Sequence, residues 1–129
     1  MGFLDINLGD AQEPKAAKEG EYIVRIVDIN EGIDKNGHNY LQPILDIPGE
    51  PTAKSFSHFL GLPYEGMDEK SRNNSKWRLK LFFEAFGIDH SKTIDTAAIK
   101  GRQAWAILGV DSNDQYGEQN FVKKFVRPA

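Results

Sequence analysis

The chain has 129 residues, enough for one domain with a proper core, and 40% hydrophobic content with 8 Phe, 4 Tyr and 2 Trp argues against disorder. It contains no cysteine, which excludes disulfides and thiolate metal sites and fits a reducing compartment. The net charge of −3 is unevenly spread: residues 71–129 carry ten cations against six anions, so a local basic surface is compatible with an acidic chain.

No apolar run approaches membrane-spanning length. The opening Met-Gly-Phe-Leu-Asp-Ile has neither the basic start of a signal peptide nor the Ser or Thr at position 6 that N-myristoylation needs. The expectation is a cytoplasmic protein without a membrane partner. Residues 1–20 read as a lead-in, with little to bury from Gly9 to Gly20. Phe3, Leu4, Ile6 and Leu8 can dock on the body or on a partner, and the expectation is a strap docked on a single domain of residues 21–129.

Alternation begins at Glu21–Glu31, where Tyr22, Val24 and Ile26 face one way and Ile23, Arg25, Val27 and Ile29 the other. Two apolar faces predict a central strand. Asn36-Gly37 then marks a tight turn into Tyr40–Ile47, with Leu41, Leu45 and Ile47 on one side. Pro43, which has no amide hydrogen, predicts an edge or a bulge there. After Pro48-Gly49-Glu50-Pro51, Ala53–Leu60 reads as the third strand of a meander.

A helix is expected within Asp68–Phe86. Asn73, Asn74 or Ser75 would cap its firm part, and Gly87 would follow its end. Trp77, Leu81 and Ala85 form one apolar row and Leu79, Phe82, Phe83 and Phe86 its neighbour. Arg72, Lys76 and Lys80 read as a solvated face. A short second helix capped by Asp95 precedes the final hairpin, whose insert Asp111–Gln119 is made of turn formers. In its last strand, strict alternation puts Phe121, Lys123, Phe125 and Arg127 on one face, with both phenylalanines expected to serve the core.

Three strands, a helix and two strands make a mainly β protein. The order predicts a five-stranded OB-fold-like Greek-key barrel with the helix between strands 3 and 4. The competing architecture is an open antiparallel sheet with one helix packed on it.

Several short runs point the same way. Met-Gly-Phe-Leu-Asp-Ile, Glu19–Ile26, Lys35-Asn36-Gly37, Leu45-Asp46-Ile47, Phe82–Gly87, Ile99–Arg102 and Asn120–Phe125 occur in this order. The set resembles a family of phage-encoded proteins, some of them OB-fold single-stranded-DNA-binding proteins. The resemblance covers nearly the whole chain and implies that fold, together with a role in phage DNA replication or recombination. One departure is the C-terminal Phe-Val-Arg-Pro-Ala, where several such proteins carry an acidic, partner-recruiting tail.

A sequence-tolerant single-strand binder needs cations for phosphates and exposed rings for bases. The candidate cations are Arg25, Lys35, Lys54, Lys123 and Arg127, and the candidate rings are Tyr40, Trp105 and Tyr116. Tyr40 lies opposite its strand's apolar face and Tyr116 sits in the hairpin loop. Trp105 is either displayed or buried in the barrel, depending on which side Ala104, Ala106 and Leu108 face. The expected partner is single-stranded DNA, with RNA as an alternative and replication or recombination proteins as possible further partners. Oligomeric state stays open.

No catalytic pattern is present: His38, His58 and His90 lack metal-ligand spacing, and Gly61–Gly66 lacks the Lys-Ser/Thr of a phosphate loop. The chain is therefore expected not to be an enzyme and to use no cofactor or metal. Two alternatives accompany the DNA reading: an OB-like protein-interaction module, and a metal-dependent nuclease using Asp28, Asp46 and His58.

Overall fold

The computed structural model describes residues 2–127; Met1, Pro128 and Ala129, at the outer ends of the expected 1–20 and 21–129 segments, lie outside it. Alternating apolar residues build β1 (Gly20–Ile33), β2 (Asn39–Asp46), β5 (Gln103–Asn113) and β6 (Gly117–Val126). Two short strands, β3 (Phe56–Ser57) and β4 (Leu60–Gly61), precede the helix α1 (Glu69–Ala85) and a 3-10 turn at Thr96–Ile99. All pairings between the strands are antiparallel, in the order β3-β2-β1-β5-β6, with β4 also on β2. Among the described residues no ladder joins β6 back to β3 or β4, so the sheet is open.

The expected five strands are six because of one residue. The pairing of β2 with its neighbour keeps a single register, Leu45 opposite Phe56 and Leu41 opposite Leu60. At the position between, the His58 N–H donates to the Pro43 carbonyl (3.0 Å), but Pro43 has no N–H to return the bond. The third strand is interrupted there. Pro43 itself marks neither an edge nor a bulge: it is fully buried in a strand that is paired on both sides.

Two bulges set which way side chains point. In β1 the register shifts between Ile26 and Asp28, so Val24 and Ile26 face the core and Ile29 turns inward as well. In β6 the shift falls at Lys123, between Leu108 paired with Val122 and Ile107 paired with Lys124. Strict alternation breaks at that extra residue. Phe121 consequently faces outward and is 40% exposed, while Phe125 points in, correcting the expectation that they share a face.

The core joins Val24, Ile26, Leu41, Leu45 and Leu60 of the sheet to Phe82, Phe83 and Phe86 of the helix, each large side chain contributing about 1.5–3 kcal/mol on burial. Ala104, Ala106 and Leu108 supply the β5 side of that core. The Phe125 ring lies 5.5 Å from both Phe82 and Phe86, and 5.2 Å from His58 in the β3–β4 link. Rings therefore bridge the two sheet edges where backbone hydrogen bonds do not.

The helix lies within the expected Asp68–Phe86 stretch, but its cap is not among Asn73, Asn74 and Ser75. Asp68 caps it, its carboxylate accepting from the Ser71 N–H (2.8 Å), and Asn73, Asn74 and Ser75 lie inside the helix. Gly87 ends it at φ 68°, with Ile88 N–H bonded to Phe83 O (2.8 Å) and Gly87 N–H to Glu84 O (3.1 Å), a Schellman motif.

Of the lead-in, residues 15–17 lie on the body. Lys15 N–H donates to Thr52 O (3.2 Å), and the buried Asn120 side chain holds Ala17 by both N–H (2.8 Å) and carbonyl (2.9 Å). Phe3, Leu4, Ile6 and Leu8 do not pack down; they are 63–89% exposed. No helix among the described residues is long and apolar enough to cross a membrane.

Candidate nucleic-acid interface

Inward-facing Ala104, Ala106 and Leu108 leave Trp105 on the outer face of β5, 49% exposed. It stands opposite Ile23 of β1 and Val126 of β6. A shallow hollow of about 300 Å³ beside it is bordered by Ile23, Pro48 and Glu50. Farther along β5, the Phe121 ring and the Lys123 stem lie across Gly109, where a Cβ would stand 2.6 Å and 2.8 Å from them. The glycine is what lets the ring lie flat on the sheet.

A groove of about 980 Å³ runs along the β6 edge against α1. Val122–Arg127 form one wall, and Trp77, Arg78, Leu81 and Glu84 of the helix form the other. Trp77 is 45% exposed, with Lys80 Nζ 5.7 Å and Arg127 Cζ 5.5 Å from its ring. Ile107 and Val126, the neighbours of Trp105 on the outer face, also line the groove, making the two surfaces continuous. Among the described residues Arg78 and Lys124 form no ion pair.

The eight residues singled out from the sequence fall into separate places. Trp105, Lys123 and Arg127 belong to this surface. Tyr116, exposed in the three-residue hairpin loop, accepts a bond from Lys54 Nζ at its carbonyl (3.1 Å), so these two meet at the start of β6. Lys35 and Tyr40 lie at the far end of β1. Ile23, opposite Trp105, and Gly32, opposite Tyr40, are separated by roughly 30 Å of strand at about 3.3 Å per residue. The Tyr40 ring is spent on Gly32, where a Cβ would meet it at 2.5 Å, and on Phe59 at 5.1 Å.

Three of the five candidate cations already have carboxylate partners. Arg25 holds Asp46 through two bonds of 3.1 and 2.6 Å on the outer face. Lys123 pairs with Glu19, and Arg127 with Glu84 at 3.2 Å. The Arg127 hydrogen bond, and after it one from His90, hold the Glu84 carboxyl below its usual range. Asp28 pairs instead with Lys100 (3.3 Å), and no metal-holding group of His, Asp and Glu forms among the described residues. Asp28, Asp46 and His58 are not gathered.

Sequence reasoning missed Trp77, Arg78 and Lys124. Helical spacing puts Trp77 in the apolar row of the helix, yet in the structure it lies in the groove facing Val126 and Arg127 and stays 45% exposed. Lys76, Arg78 and Lys80 around that tryptophan were the available signal. No protein-family model and no curated protein matches the chain.

Proposed function

We propose that the chain is a sequence-tolerant single-stranded-DNA-binding protein that carries the strand along the β6 edge. The observation that carries this reading is the Trp77 ring exposed in a groove with Arg78, Lys123, Lys124 and Arg127. Cations there neutralise phosphates and release counterions, while Trp77, Trp105 and Phe121 offer faces to unpaired bases. Ten residues of β6 at about 3.3 Å each make a track of roughly 33 Å, suited to a short run of nucleotides. No base-edge donor or acceptor is needed, so sequence preference is weak.

The strand order supports an OB-like reading of the sheet. With β3 and β4 counted as one interrupted strand, a long first strand pairs with both the second and the fourth, and the helix follows the third. The resemblance to phage single-strand binders gives the setting: host cytoplasm, during phage DNA replication or recombination, without catalysis.

A second reading, an OB-like protein-interaction module without nucleic-acid binding, draws on the ion pairs that occupy Arg25, Lys123 and Arg127. Fluorescence anisotropy with labelled oligo-dT at two salt concentrations separates them. Binding that weakens steeply with salt is expected. Trp77→Ala should cost about 1–3 kcal/mol of affinity, and Lys124→Ala should lower the salt slope by about one. No binding at low salt would transfer the assignment to the interaction module.

A further inference from the structure

β6 is an edge strand, with a backbone partner on one side only among the described residues. Edges of this kind accept an added strand. Leu81, Val122, Phe125 and Val126 make its groove apolar, while Arg78 and Lys124 stand in it without carboxylate partners. The occupant such a groove suits is extended, apolar on one side and acidic.

The chain contains one segment of that chemistry. In an extended conformation Leu4, Ile6 and Leu8 share a side, and Asp5, Asp10 and Glu13 are the only charged side chains in residues 2–13. The segment makes only local bonds among the described residues, Gly9 N–H to Asn7 Oδ1 (3.0 Å) and Ala11 N–H to Leu8 O (3.2 Å). Four large apolar side chains held in water on one short stretch are a binding surface without its partner. The segment also stays out of its own groove, which leaves the groove of another copy as its place.

We infer that residues 3–8 of one copy add as an extra strand to the β6 edge of a second copy. Leu4, Ile6 and Leu8 fill the groove beside Leu81 and Phe125, and the acidic side chains approach Arg78 and Lys124. The contact joins two different surfaces, so it yields either a closed ring, of which an exchanged dimer is the smallest, or an open chain of copies.

Sedimentation velocity on the full chain tests this without DNA. Between about 1 and 100 μM, which brackets micromolar dissociation constants, the mean mass should rise with concentration and fall with added salt. A variant with Leu4→Ser, Ile6→Ser and Leu8→Ser should stay monomeric and keep its melting temperature, since none of the three packs on the body. A labelled peptide of residues 2–13 should bind that monomeric variant, and Lys124→Glu should weaken the binding several-fold. A monomeric wild-type chain, association unchanged by the serine substitutions, or a peptide that does not bind would each overturn the proposal.

Discussion

At the scale of single residues, His58 has an unusual combination of neighbours. Its imidazole meets the Phe125 ring edge-on at 5.2 Å and stacks over Phe82 at 6.3 Å. Burial, and then the nearby Arg78 charge, lower its pKa from 6.5 to about 4. Between those two values the unfolded chain takes up a proton that the folded chain refuses, so stability is full above pH 6.5 and falls as pH drops towards 4. The loss amounts to about 3 kcal/mol. Comparing urea midpoints at pH 7 and pH 4.5 should show it, and His58→Gln should flatten the difference. Asp34, lowered chiefly by the His38 backbone hydrogen bond, and Asp89, lowered chiefly by the Ser91 hydroxyl, act only below that window. Such neighbours were not legible in the sequence, which shows His58 only as a residue between Ser57 and Phe59. The same holds for Phe121 and Phe125: alternation was the right rule, but one inserted residue at Lys123 reversed its phase, and a bulge leaves no mark in composition.

At the scale of elements, β1, β2 and the final hairpin were legible because each alternates over many residues. The third strand was legible in place but not in continuity, since its break is caused by Pro43 on the strand beside it. The helix lies where the stretch Asp68–Phe86 placed it, and only its cap differs, for a local reason. Asn73, Asn74 and Ser75 are good caps by residue type, but Asp68 has the geometry, and its carboxylate takes both the N–H and the hydroxyl of Ser71 (2.8 and 3.1 Å). Asp68→Ala should therefore cost about 1 kcal/mol in thermal unfolding, whereas Asn74→Ala, in the exposed helix interior, should be neutral or stabilising by a few tenths. Equal losses at the two positions would restore the later cap. Helical spacing correctly grouped Trp77 with Leu81 and Ala85. It does not say which member of the row meets the sheet and which lines an open groove, and Trp77 is the one left in the groove.

At the scale of the whole molecule, the charge asymmetry of the sequence becomes a spatial one. The basic C-terminal half supplies most of the groove, and the acidic start of the chain supplies the segment that complements it. Both proposals use this asymmetry, one towards phosphates and the other towards carboxylates. The candidate site was half legible: Trp105, Lys123 and Arg127 lie on the surface that sequence alternation marked, while Lys35 and Tyr40 are carried away by the length of β1. What residue order does not show is the pairing, which sets Tyr40 beside Gly32 and Trp105 beside Ile23 at opposite ends of β1.

The open side of the sheet has a mechanical consequence. Everywhere else, separating two long strands means breaking a run of backbone hydrogen bonds together; between β6 and the β3–β4 link only rings must part. Local opening should be easiest along this line. Amides on the outer side of β6 should exchange with deuterium well ahead of those shared by β1 and β5, and acid should widen that gap as His58 takes up its proton. Exchange mapped by mass spectrometry at pH 7 and pH 5 on the chain carrying Leu4→Ser, Ile6→Ser and Leu8→Ser, which leaves the β6 edge unoccupied, and corrected for the intrinsic rate, would measure it. Uniform protection across both strands would mean the seam is zipped shut.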